Sequence, residues 1–313
     1  MRPKTTRRTF LAACSTSAAA LAAAAPAVEA GPAGAAEGPR GGIAYLCVTC
    51  SSQFAESAAP PEHCPICEDE RQYVPPEGQQ WTTPEQLRSG HKNVIKQEEA
   101  NLYSINTEPK FGIGQRAFLI RTPVGNVLWD CVALLDEATI GRMKELGGIA
   151  EIAISHPHYY STMVDWSRAF GGAPVHIHEA ERRWVMRPDP CIRFWEGRTR
   201  DLRGGLRLVS TGGHFDGYQV LHWPAGADGR GVLMAGDQPQ ICMDPAQVSF
   251  MYSYPNFIPL NAPTIRRVAE CLGPLEFDRI YGAFFIRGKG IVPAGAKEVV
   301  RRSADRYLKA IRD

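Results

Sequence analysis

Ile152-Ala153-Ile154-Ser155-His156-Pro157-His158-Tyr159-Tyr160-Ser161 is the stretch that decides how this chain is read. Ile149 to Ile154 has the apolar, β-branched character of a buried strand, and two histidines follow at its end. In extended chain, residues two apart point the same way, so the spacing predicts that His156 and His158 face one point. Pro157 cannot donate to a β-ladder, which places the pair at the strand's exit, where functional side chains gather. Two imidazoles so spaced are a metal-ligand pattern, but ordinary loop or core histidines can show it too. The rest of the chain has to separate the two readings.

Two later segments favour the metal. Gly212-Gly213-His214-Phe215-Asp216-Gly217 puts a third histidine in a glycine-rich turn ahead of the strand-like Tyr218 to Trp223. Val232-Leu233-Met234-Ala235-Gly236-Asp237 then ends another apolar strand with a carboxylate. This order, over about Lys110 to Asp313, resembles the metallo-β-lactamase fold hydrolases. The resemblance implies an α/β protein, a metallo-β-lactamase-like αββα sandwich, in which His156, His158 and His214 form one zinc site. It implies that Asp237 is the carboxylate that bridges to a second ion in two-metal members. The chain also departs from the pattern. Where the family's first motif continues with an Asp and another His, Tyr160 and Ser161 stand. Where the family has its last histidine, after the expected strand Phe277 to Tyr281, the chain has Ala283, Phe284 and Phe285. With three ligands of the second site replaced, at most one metal is expected in this pocket. Asp237 and Tyr160 are the expected catalytic residues. Asp237 would bind the ion or hold the attacking water, and Tyr160 would donate to a developing oxyanion or protonate a leaving group.

Upstream, Cys47-Val48-Thr49-Cys50 and Cys64-Pro65-Ile66-Cys67 form two Cys-x-x-Cys knuckles. Four thiolates from two tight turns can surround one ion, and that reading is preferred to a disulfide pair because two-residue spacing suits a chelate. The segment from about Tyr45 to Val74 resembles the rubredoxin-like ribbon at the end of rubrerythrins, which allows zinc or iron. Ser51 and Glu68 stand where such knuckles often carry glycine. A four-cysteine site has no open coordination position, so its expected role is to fold a segment too small to hold a core.

The N-terminus reads as an export signal over residues 1–30. Thr6-Arg7-Arg8-Thr9-Phe10-Leu11 carries twin arginines before an alanine-rich apolar stretch, with cleavage expected after Ala27 or Ala30. That predicts a bacterial protein exported folded by the twin-arginine machinery to the periplasm or beyond, with no membrane association after cleavage. Residues 31–42 are expected to be a linker, 43–75 the four-cysteine ribbon, 76–109 a connector and 110–313 the metallo-β-lactamase-like domain. Removing residues 1–30 takes away Arg2, Lys4, Arg7, Arg8 and Glu29, leaving 31 basic residues against 32 acidic. That balance gives no electrostatic case for nucleic acid, and a small-molecule substrate is the expected partner.

Between the motifs, Thr83 is expected to cap a short helix starting at Pro84. Ala117 to Arg121 and Asn126 to Cys131 read as a hairpin, and helices are expected over Asp136 to Leu146, Ser161 to Phe170, Thr264 to Cys271 and Pro293 to Ile311. His176 and His178 repeat the His-x-His spacing, either as a second ligand pair or as one solvent-facing residue and one near the pocket rim. The proline- and aromatic-rich Asp244 to Leu260 reads either as a loop shaping substrate access or as rigid packing. Three functions stay open. The leading one is a mononuclear zinc hydrolase acting on an ester, lactone, thioester or amide; the others are a non-catalytic binding protein on a hydrolase scaffold and an iron redox protein.

Overall fold

Alternation along the strands accounts for the layers. Phe118 and Ile120 alternate with Leu119, Val127 and Trp129 with Leu128, and Val232 and Met234 with Leu233 and Ala235, all of them buried. A strand with both faces apolar must be covered on both sides. In the computed structural model, which describes residues 41–285 and 290–311, the chain meets that requirement with two mixed sheets between helices. The expected signal and nearly all of the expected linker lie outside the described residues.

The first sheet has seven strands in sequence order: β1 (Lys92–Glu99), β2 (Leu102–Glu108), β3 (Ala117–Ile120), β4 (Val127–Trp129), β5 (Glu151–Ala153), β6 (Val175–His178) and β7 (Ile192–Trp195). β1 to β4 pair antiparallel, and the pairs from β4 to β7 are parallel. The second has six: β8 (Thr199–Asp201), β9 (Arg207–Ser210), β10 (Gln219–Trp223), β11 (Val232–Gly236), β12 (Arg279–Gly282) and β13 (Ile291–Val292). Its β11–β12 pair is parallel and the others antiparallel. Phe118, Trp129, Trp195, Leu208, Leu221, Trp223, Met234 and Tyr281 form one cluster drawn from both sheets, the filling between them. The alternate residues Leu119, Leu128, Ile152, Leu233 and Ile280 share a cluster with helix residues such as Met143, Trp166, Val268 and Val300. The result is an α/β sandwich of two sheets between helices, the layering that the resemblance implies.

The helices follow local signals. Thr83 caps Pro84–Gly90 in a capping box with Gln86, and Asp136 and Asn261 cap Glu137–Glu145 and Ala262–Leu272 through their side-chain oxygens. Met163–Ala169 and Ala296–Ala310 complete the expected set.

One boundary differs from expectation. Residues 92–108, read as connector, are the first two strands of the seven-stranded sheet, and Leu102 and Ile105 are fully buried in it. β1 carries Lys92, Lys96, Glu98 and Glu99 on a sheet edge, where charge is tolerated, and that polarity hides it from a hydrophobic pattern. The four-cysteine segment lies directly against the domain. Gln53 Nε2 donates to Asp165 at 2.8 Å, Arg187 bonds both Gln53 and Asp165, and Ser51 Oγ stands 2.9 Å from Ser161 Oγ.

Candidate metal centres

Cys47 and Cys50 leave a two-residue strand, and Cys64 and Cys67 bracket the helical turn Pro65–Glu68. All four are at most 1% exposed. Their sulfurs stand as unbonded neighbours, Cys47 to Cys67 at 3.5 Å and Cys50 to Cys64 at 3.6 Å. Four thiolates at about 2.3 Å from an ion would stand about 3.8 Å apart, so the set fits one ion with little movement. Hydrogen bonds from Cys50, Cys64 and Cys67 hold the Cys47 thiol far below its usual range, while burial pushes Cys50 up. Ser51, at the place where such knuckles often have glycine, takes the left-handed conformation (φ 65°), at a cost of order 1 kcal/mol or more.

The second centre forms where the sheets' strand ends meet. His156 and His158 do not converge by strand alternation as expected. β5 ends at Ala153, His156 is extended (φ −167°, ψ 171°), and Pro157–Tyr159 folds into one 3-10 turn that swings His158 back. The two ring centroids are 5.0 Å apart, and His214 lies 5.0 Å from His156 and 5.4 Å from His158. One donor atom from each of His156, His158, His214 and Asp237 lies within 4.8 Å of the others, all four residues buried. Asp237 Oδ2 is 3.3 Å from His156 Nε2 and 3.8 Å from His214 Nε2.

The residues around this set prepare it to ligate. His214 Nδ1 donates to the Met251 carbonyl at 3.0 Å, and His156 Nδ1 stands 2.9 Å from Ser155 Oγ, which donates on to Asp130 at 2.8 Å. With Nδ1 engaged in His156 and His214, their lone pairs lie on Nε2, and Nε2 of all three histidines is buried with no hydrogen-bond partner among the described residues. Burial holds the His156 imidazole below its usual range, His158 far below it and His214 at about 3, so all three are neutral ligands at pH 7. Burial would raise the Asp237 carboxyl, but the nearby His156 and His214 rings and the hydrogen bond from the Tyr159 hydroxyl hold it below the usual carboxylate range. Three orphaned nitrogens and one ionised carboxylate are a donor set that a zinc-like ion fits.

Gly236 is required here. It sits at φ 60°, and a Cβ on it would lie 2.6 Å from Tyr218 Oη and 2.9 Å from Ser155 Oγ. Tyr218 Oη in turn accepts from the backbone N–H of Asp237 (2.6 Å) and Gln238 (2.8 Å) and donates to Ala235 O, which fixes the turn that presents the carboxylate.

Tyr160 is not where the sequence reading put it. Its hydroxyl is buried without a partner and lines a cavity of about 10 Å³, room for about one water, with Ser52, Gln53, Trp184 and Arg187. The hydroxyl that reaches the cluster belongs to its neighbour Tyr159, which donates to Asp237 Oδ1. The 3-10 turn is the reason, since it rotates consecutive side chains by about a third of a turn. Ser161, at the other substituted position, spends its hydroxyl on Ser51 and on Gln115 (3.1 Å).

His176 and His178 are not a ligand pair: His176 Nε2 faces Glu151 at 3.4 Å, and His178 Nε2 donates to Gly197 O at 3.0 Å. Residues 244–260 pack as a clamp, with Tyr254 Oη donating to Asp237 O at 2.7 Å. Sequence reasoning missed Asp130, Tyr159 and Tyr218. A signal existed for Asp130, which ends the apolar Val127-Leu128-Trp129 as Asp237 ends its strand. Burial pushes the Asp130 carboxyl up to about 8, partly offset by its Ser155 hydrogen bonds.

Comparison with known proteins adds a family. Over 269 residues the chain is 51% identical to the uncharacterized protein YmaE of Bacillus subtilis (strain 168), covering 85% of this chain and 96% of YmaE. This chain belongs to the YmaE family. No protein-family profile matches it. Among solved structures it is similar to MEM-A1, a subclass B3 metallo-β-lactamase isolated from a soil metagenome library (TM-score 0.47, 17% identity, 69% of this chain and 94% of that one). It is also similar to the metallo-β-lactamase SMB-1 in a complex with mercaptoacetic acid (TM-score 0.46, 16% identity, 70% and 95%).

Proposed function

We propose that the chain is an exported, metal-dependent hydrolase with a single ion in the histidine centre. The proposed substrate is a small molecule, an ester, lactone, thioester or amide. The carrying observation is the convergence of three buried, unpartnered imidazole Nε2 atoms and one ionised carboxylate within 4.8 Å. A zinc ion held by these residues would supply a Lewis acid and lower the pKa of a bound water to about 7.

The chain's own groups do the rest. Met251 O and the Ser155–Asp130 pair hold two imidazoles in the Nδ1–H tautomer. Tyr159 fixes the Asp237 carboxylate through one oxygen, leaving the other to face His156 and His214. Asp237 is the one buried carboxylate among the four ligand candidates, so it is the group placed to hold a water at this centre by accepting its hydrogen bond. The surrounding Tyr254, Phe215 and Phe284 exclude bulk water, which strengthens every charge interaction inside.

In this reading the cysteine site carries zinc as a structural ion. Four buried thiols in a segment that bonds Ser161, three residues after His158, favour one rival, in which iron fills the cysteines and passes electrons. Elemental analysis of the purified mature protein separates the two, since two zincs per chain are expected and iron with visible absorption would overturn the structural role. Hydrolysis of a panel of simple esters and lactones is expected, and it should disappear in His156→Ala. Activity that survives that substitution, or a histidine centre that takes no metal, would overturn the hydrolase reading.

A further inference from the structure

Arg71 lies four residues after Cys67, and its guanidinium belongs to the histidine centre's wall. Its carbon Cζ sits 4.2 Å from the centre of the Phe215 ring and 4.6 Å from that of Tyr252, with Trp184 at 5.8 Å, and the residue is 5% exposed. Both close rings lead to the metal ligands. Phe215 follows His214, and its ring centroid lies 5.0 Å from His158, 5.3 Å from His214 and 5.5 Å from His156. Tyr252 follows Met251, whose carbonyl holds His214 Nδ1.

The backbone around Arg71 is tied to the same clamp. Ser253 Oγ donates to Arg71 O at 3.1 Å, and Asn256 Nδ2 donates to Glu70 O and Gln72 O at 2.8 and 2.9 Å. Asp69 accepts from Arg71 N at 3.0 Å and sits 3.5 Å from Nη1, offsetting much of the buried charge. The Arg71 charge still reaches His156, His158 and His214, so truncating Arg71 changes both the stacking of the wall and the field at the ligands. A desolvated cation is attracted to the face of an aromatic ring, and here two rings share it.

We propose that the four-cysteine module is a working part of the histidine centre, with Arg71 as the positioning residue that joins them. By holding Phe215 and the Met251–Asn256 clamp, Arg71 sets the ion affinity of His156, His158, His214 and Asp237. The proposal rests on the reading of that cluster as a metal centre. Loading of the cysteines orders the turn that ends at Asp69, and through Arg71 it prepares the second site.

The test is a cobalt(II) titration of the metal-free full chain. Thiolate-to-cobalt charge-transfer absorption reports the cysteine site, and the weaker visible bands of nitrogen and oxygen ligation report the histidine site. Arg71→Ala is expected to leave the thiolate signal intact and weaken the histidine site about 10- to 100-fold, the usual scale for groups that orient metal ligands. Arg71→Lys, which keeps a cation over the ring, is expected to recover most of the loss. Ser253→Ala, which frees the backbone tie alone, should give a smaller loss of the same kind. Histidine-site affinity in Arg71→Ala within twofold of the parent, with the thiolate signal intact, would overturn the proposal and leave the metal reading standing. A parent chain that takes cobalt at the cysteines only would overturn both.

Discussion

Replacing Tyr159 with Phe and, separately, Tyr160 with Phe tests the site's assembly with two near-identical edits to adjacent residues. Each removes one hydroxyl from a ring that is 0% and 3% exposed respectively, so neither changes the packed hydrocarbon. The Tyr159 hydroxyl donates to a buried carboxylate, and losing a hydrogen bond to a charged group costs about 1.5–3 kcal/mol. The Tyr160 hydroxyl has no protein partner, and removing a buried polar group that is at best satisfied by one water ranges from neutral to about 1 kcal/mol stabilising. For a domain of this size 1 kcal/mol shifts the melting temperature by about 2–4 °C. Tyr159→Phe should therefore melt about 3–12 °C below the parent and Tyr160→Phe at or slightly above it, measured by calorimetry on metal-free protein at pH 7. Metal affinity at the histidine centre and ester turnover should fall in the first variant and hold in the second. Equal shifts, or the reverse order, would refute the assignment of Tyr159 to Asp237. Lost turnover in a stable Tyr160→Phe would restore Tyr160 as the catalytic tyrosine.

Two other perturbations follow from the same geometry. Burial holds His176 at about 4 in the folded chain, well below its usual value of 6.5. The unfolded chain therefore takes up a proton preferentially as pH drops from about 6.5 to 4, and stability is lost over that window and flat above it. The loss is at most about 3 kcal/mol, and His176→Gln should flatten that part of a melting-temperature profile between pH 7 and 4.5. Gly236→Ala forces a Cβ to 2.6 Å from Tyr218 Oη in a left-handed conformation, so about 2–4 kcal/mol of stability should go. With the Asp237 turn displaced, metal content should fall by one equivalent per chain, readable by elemental analysis, while the cysteine site stays filled.

The parts of this fold that could be read in the sequence were those with a strict pattern. The first two histidines just beyond their strand, the Gly-Gly-His turn and the Gly-Asp strand end sit at one locus in space, and both cysteine knuckles close on one point. Thr83, Asp136 and the hairpin around Pro123 to Gly125 are equally local signals. What escaped depends on contacts between distant residues. Tyr159 and Tyr160 are chemically alike in sequence, and only the 3-10 turn after His156 decides which one meets Asp237. Arg71 reads as one cation at the polar end of the four-cysteine ribbon, because the rings that hold it are more than a hundred residues away. β1 looks like a connector because an edge strand tolerates charge, and the partners of Glu98 and Glu99, Arg116 and Arg279, lie far off in the sequence.

The hairpin of β1 and β2 has a practical consequence for anyone trimming this protein. A fragment starting near residue 110, where the sequence resemblance begins, would strip Leu102 and Ile105 from the sheet and leave β3 as a raw hydrophobic rim inviting aggregation. It would also remove Glu99, which bridges Arg279 and Tyr281 on the opposite sheet at 2.6 and 2.9 Å and so pins the two halves of the sandwich at one corner. The shortest piece able to fold thus begins no later than Lys92, so a cut at residue 110 runs through the seven-stranded sheet rather than beside it.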